Sequence, residues 1–219
     1  MDQELARVLA LVSTYSILLP SGLCLALILK KQASREQIIL GVLLLCSIVT
    51  EGLSIYMGQY LGLNNLPLLH LFTVVQFFLL AMIYRGNLHP YITNRQIDFL
   101  IIGFAVFAIF NSILNESIFQ FNPVARAVKS LIVIAFVLTY FYKLLQELKI
   151  RRLESLPLFW ISTGLLIYFS SNLFVFIFSN YILPSSYLTF TFWGIHAVMS
   201  ILINLFYTLA LWAKPEKPK

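Results

Sequence analysis

Charge is the scarcest property of this sequence. Only 11% of its 219 residues are charged, while 60% are hydrophobic. A water-soluble domain carries about 25% charged residues, so a soluble fold of this length is excluded: it could not hide that much apolar surface. Cysteine is nearly absent too. Cys24 and Cys46 both lie inside apolar runs, which excludes a disulfide framework and leaves them as small buried hydrophobes. The start Met1-Asp2-Gln3-Glu4, with Arg7 as its one nearby cation, lacks the basic region of a signal peptide. Ser21-Gly22-Leu23-Cys24 is a poor lipoprotein site, since the residue before the cysteine should be small. The first apolar run is therefore expected to be a retained helix. The net charge of +6 does not point to nucleic acid, because the basic residues gather at the ends of apolar runs, where membrane topology explains them.

What is present in abundance is long apolar stretches. A hydrocarbon core of about 30 Å needs about 20 apolar residues in a helix. Seven stretches qualify, near 8–29, 38–56, 66–84, 99–114, 124–142, 156–182 and 188–213. The fifth is the weakest, because only Ser130–Tyr142 is free of charge; it spans if Arg126 and Lys129 snorkel at one end and Lys143 at the other. The expectation is one all-α domain, a seven-transmembrane-helix bundle. Lys30, Lys31, Arg35, Arg85, Arg95, Lys143, Lys149, Arg151, Arg152, Lys214, Lys217 and Lys219 fall on one side, twelve of the fifteen lysines and arginines. That side is expected to face the cytoplasm, with the N-terminus outside and the C-terminus inside. Tyr84, Tyr142, Trp160 and Trp212 serve as inner aromatic anchors, and Tyr60, Tyr181 and Tyr187 as outer ones. No soluble domain is expected beside the bundle, which lies in the plasma (inner) membrane.

Spans one to three and five to seven share the same in/out sense, with span four as a link. This 3+1+3 arrangement is that of parallel repeats in some carriers. Aligning Glu51 with Asn172 sets Gln59-Tyr60 on Asn180-Tyr181 and Gln76 beside His196. Pro20, next to Ser21-Gly22, is expected to kink span one and leave backbone carbonyls free.

Polar residues inside hydrocarbon are costly, roughly 2.5–3.5 kcal/mol for a charge at a helix centre, and so mark candidate sites. Glu51 is the one acid within a span, roughly 13 Å deep from Tyr60, with Ser47, Thr50 and Ser54 on its face. Span three offers His70, Thr73 and Gln76; span six offers Tyr168, Ser171 and Asn172. Span seven carries the longest polar stripe: His196, Ser200, Asn204, Tyr207 and Thr208. Glu51, Thr73, Asn172 and His196 fall at one depth, which implies a polar pocket opening outward. Glu51 and His196 could exchange a proton there, or each could make a fixed hydrogen bond. Spans one, four and five, poorer in deep polar groups, are expected to form more of the lipid-facing wall. The loop Lys143–Ser155 suits anionic lipid or a cytoplasmic signalling partner.

Several signatures are missing. Span seven has no lysine for retinal. Tyr84-Arg85 and Asn204-Leu205-Phe206-Tyr207 lack the rest of the eukaryotic receptor motifs. No Pro-Gln occurs, as sugar carriers would require, and no Gly-x-Ser-x-Gly. Only His70 and His196 lie in spans, with no Asp, unlike zinc-dependent seven-helix hydrolases. No residue pattern asks for a metal or another cofactor. Glu51, Asn64-Asn65-Leu66-Pro67-Leu68-Leu69-His70, Tyr168, His196 and Asn204 together resemble a set of bacterial seven-helix integral membrane proteins, chiefly from Bacteroidota. That resemblance implies a topology and no activity. The expected function is a receptor-like or sensory module that binds a small ligand or a proton and signals through a separate partner. A small-solute carrier with two three-helix halves is the alternative, and an intramembrane enzyme the third reading.

Overall fold

The computed structural model describes residues 3–114, 117–147, 152–182 and 186–214, and of 179–182 and 186–188 the backbone alone. Met1, Asp2, Lys149, Arg151, Lys217 and Lys219, invoked above, lie outside the described residues, as do the side chains of Asn180, Tyr181 and Tyr187. The elements are α1 (Gln3–Ser16), α2 (Leu18–Leu29), α3 (Arg35–Ile55), α4 (Leu66–Tyr84), α5 (Asn94–Leu114), α6 (Pro123–Glu147), α7 (Pro157–Ile182) and α8 (Ser186–Trp212). There is no strand among the described residues. Taking α1 and α2 as one interrupted rod, seven helices are long and apolar enough to cross a membrane, the architecture of a multi-pass membrane protein.

The break between α1 and α2 falls at Ile17, three residues before Pro20. Proline has no N–H to give the Ser16 carbonyl one turn earlier, so the ladder lapses there. Ser21 compensates by aiming both its N–H (3.2 Å) and its hydroxyl (2.7 Å) at the Ile17 carbonyl. Other helices begin earlier than hydropathy alone places them, because polar caps add turns outside the apolar run. Ser34 and Gln37 form a capping box at the start of α3. Thr93 and Gln96 bond reciprocally at the start of α5, which draws Arg95 and Asp98 into the helix. A π-helical turn, Tyr56–Tyr60, prolongs α3.

One end of the bundle is tied together by these caps and by basic side chains. The Gln37 amide donates to the Ala210 carbonyl at 2.9 Å, closing the end of α8. Arg35 donates to the carbonyls of Arg85 (2.7 Å) and Met82 (3.0 Å) at the end of α4. Lys143 reaches the Asn87 carbonyl at 3.0 Å, and Arg85 pairs with Asp98 at 2.9 Å. Basic groups at helix C-termini satisfy orphan carbonyls and complement the helix dipole. The core lies just above this end, with Leu40, Leu80, Ile83, Tyr84, Ile161 and Leu165 fully buried. Tyr84 bonds Ser162 at 2.8 Å within it, so it is a core residue and not the interfacial anchor expected from its position at the span end. α7 and α8 make the closest pair, where Gly164 lets Phe206 approach so near that a Cβ would sit 2.6 Å from the Phe206 Cβ.

Candidate functional site

Toward the opposite end the helices part around a cavity of about 580 Å³. Its walls come from α1, α3, α4, α6, α7 and α8. Glu51, Thr73, Gln76, Tyr168, His196, Ser200, Asn204 and Tyr207 all line it, so the structure gathers eight of the ten candidate residues into one space. Tyr207, itself buried, is the last polar group before the closed core.

The other two candidates stand outside the lining. Asn172 is fully buried behind His196. Its amide nitrogen donates to the Tyr168 carbonyl at 2.8 Å, which turns its oxygen toward His196 Nδ1 at 2.6 Å. An amide oxygen only accepts, so Nδ1 carries the proton, and Nε2 is the atom left to act as acceptor in the neutral ring. His70 belongs elsewhere. Its Nε2 donates to the Gln120 carbonyl at 2.9 Å and its Nδ1 faces Ser112 at 3.0 Å, tying α4 to α5 and to the segment before α6. Both ring nitrogens are committed to packing.

Glu51 sits at the exposed edge of the cavity, with one long contact, 3.4 Å, from the Thr14 hydroxyl. The expected proton exchange between Glu51 and His196 therefore has no direct geometry: each has its own neutral partner, on different walls. Ser47 and Thr50 line the cavity beside Glu51, while Ser54 is buried away from it without a hydrogen-bond partner among the described residues. Asn204 donates to Ser16 at 2.7 Å, at the α1–α2 break, so the kink expected at Pro20 meets the span-seven stripe directly. Ser200 and Thr208 bond back to their own helix.

Spans one and five are not simply a lipid-facing wall. Ser13 and Thr14 of α1 face the cavity, and so do Arg126 and Lys129 of α6. Neither cation snorkels out. Lys129 is only 4% exposed and donates to Gln76 Oε1. Arg126 donates to Asn122 at 2.8 Å and lies 4.6 Å over the Phe121 ring and 5.8 Å over Phe176. Asn122 in turn donates to Thr73 at 3.3 Å. Phe121, Phe176 and Trp193 pack on one another and around His196 as an aromatic roof. Sequence reading missed Arg126 and Lys129 because a basic residue near a span end usually reaches water. The signal was the spacing of Asn122, Arg126, Lys129 and Ser130, which puts all four on one helix face. Span four contributes none of its described residues to the cavity.

Among the described residues, no three of His, Cys, Asp and Glu come together to hold a metal ion. Comparison of the chain with family models, with curated proteins and with solved structures finds no match.

Proposed function

We propose that this protein is a receptor-like seven-helix protein of the plasma (inner) membrane, with its N-terminus outside. It binds a small ligand in the cavity and passes the change to a separate partner on the cytoplasmic side. One observation carries the reading: the cavity, with polar side chains set among apolar walls, reaches toward one end and stops on a tightly packed core at the other. A cavity closed in this way suits detection better than passage. The end tied by Arg35, Arg85 and Lys143 is the basic one, and positive charge favours the cytoplasmic side. α8 links the two ends: His196 and Ser200 face the cavity, and Ala210 is held by Gln37 at the start of α3. A shift of α8 on binding would move that junction, at the end of the bundle that carries Lys143, and a partner or anionic lipid would dock at that end.

The test is direct. Protein purified in nanodiscs should release a stoichiometric small molecule in native mass spectrometry, and Ser200→Phe, which fills the cavity, should abolish that binding while the protein still folds. Retention of the molecule by Ser200→Phe would move the site elsewhere. Uptake of the molecule into proteoliposomes would make the protein a carrier with the same site.

A further inference from the structure

The cavity holds an imbalance of charge. Arg126 and Lys129 both face it, one turn apart on α6, and among the described residues neither has an acidic partner: the ion pairs there are Arg85 with Asp98 and Lys143 with Glu147, both at the basic end. The two cations are held instead by neutral groups. Lys129 has the Gln76 oxygen and the Phe169 ring at 5.8 Å; Arg126 has the Asn122 oxygen and two phenylalanine faces. The one acid among the described residues of its lining, Glu51, is turned to Thr14 at the exposed edge. A cation removed from water is costly unless an opposite charge and hydrogen bonds replace its hydration. Gln76 and Asn122 supply the hydrogen bonds and no charge. Both cations also lie in the first two turns of α6, where the helix dipole favours an anion.

The way in is equally specific. α1 packs along α8 and touches α2, but makes no comparable contact with α3 or α4. Residues of α1, α3 and α4 nonetheless face one another across the cavity, with the long Thr14–Glu51 contact as the bridge between α1 and α3. α1 turns large apolar side chains outward, Leu11 and Tyr15 among them. The side of the cavity between α1 and α3 is thus its thinnest wall, and in a bilayer that wall would face lipid.

We propose that the cavity is an anion site, in which a carboxylate or phosphate group sits between Lys129 and Arg126. This rests on the reading of the cavity as a ligand site. The same head chemistry occurs in an acidic lipid arriving through the α1–α3 gap and in a small water-soluble anion arriving from outside. The thin wall facing lipid fits the lipid, and the test separates the two.

The experiment is isothermal titration and thermal unfolding of the full chain in nanodiscs of neutral lipid, with oleate, butyrate and inorganic phosphate as probes and empty nanodiscs as blank. At least one anion should bind and raise the melting temperature. Oleate binding far more tightly than butyrate or phosphate identifies a bilayer amphiphile; comparable binding of the small anions identifies a soluble one. Lys129→Gln and Arg126→Gln should each weaken binding by about tenfold or more, Lys129→Arg should keep it, and Arg95→Gln, at an exposed site away from the cavity, should leave it unchanged. Because Lys129→Gln removes an uncompensated charge, the ligand-free variant should unfold at or above the wild-type temperature. A structural lysine predicts the opposite, and a clear drop in stability with unchanged anion affinity overturns the proposal. So does a wild-type protein that binds no probe. If such a protein still carries a neutral or cationic molecule in native mass spectrometry, the anion site falls and the sensory reading stands.

Discussion

His196 and Asn172 meet across the α7–α8 seam, His196 Nδ1 donating to the Asn172 oxygen at 2.6 Å while the Asn172 amide nitrogen holds the Tyr168 carbonyl. The pair orients an imidazole into the cavity and locks the two most closely packed helices in register. Removing His196 leaves the buried Asn172 oxygen unsatisfied, and removing Asn172 strips the half-buried imidazole of its acceptor. Asn172→Leu should therefore cost about 1–3 kcal/mol. His196→Phe alone should cost a similar amount, and the double variant should cost less than the sum, because the polar atoms disappear together. Thermal unfolding of the three variants measures the coupling; strict additivity would show that the contact contributes nothing.

Glu51 behaves differently, because it is exposed and its one hydrogen bond is long. Glu51→Gln and Glu51→Leu should each change stability by less than about 0.5–1 kcal/mol. In a background lacking Cys24 and Cys46, Glu51→Cys should react with a membrane-impermeant thiol reagent added from outside, whereas Leu40→Cys, in the core, should not. A reporter fused after Lys219 should be cytoplasmic. Labelling of Glu51→Cys only from the cytoplasmic face would reverse the topology.

Two glycines make a matched test of packing. Gly164→Ala brings a Cβ against Phe206 and should destabilise by about 1–3 kcal/mol through overpacking. A methyl group added at Gly52 would meet nothing within 4 Å. Gly52→Ala should therefore be neutral or stabilise by up to about 1 kcal/mol, the helix preference of alanine over glycine. Equal effects at the two sites, read by thermal unfolding, would refute the close α7–α8 approach.

Gln37 joins the start of α3 to the end of α8, its oxygen accepting from the Ser34 N–H at 2.9 Å and its nitrogen donating to Ala210. Gln37→Glu keeps the first bond and loses the second, leaving a carboxylate beside the carbonyls that end a helix. It should destabilise by about 1–3 kcal/mol, and more than Ser34→Ala, which removes one cap at about 1 kcal/mol. If the two variants are equally stable, the Gln37–Ala210 bond is not holding α8.

The seven long helices, their approximate ends and the inward stripe from His196 to Tyr207 were legible in the sequence alone. Hydrophobic length is a local property, and a helix face is set by a fixed rotation per residue. Tertiary structure decided how the polar groups were shared out. Only packing could show that His70 is spent on Ser112 and Gln120, that Asn172 stands behind His196, and that Glu51 meets Thr14 and not His196. Lys129 is the clearest case. From its position near a span end it could reach water or turn inward, at similar cost to its own backbone. What turned it inward is Gln76, a residue of another helix, fifty-three positions away. Interhelical partners are chosen by rotation and spacing between whole helices, which no single helix encodes.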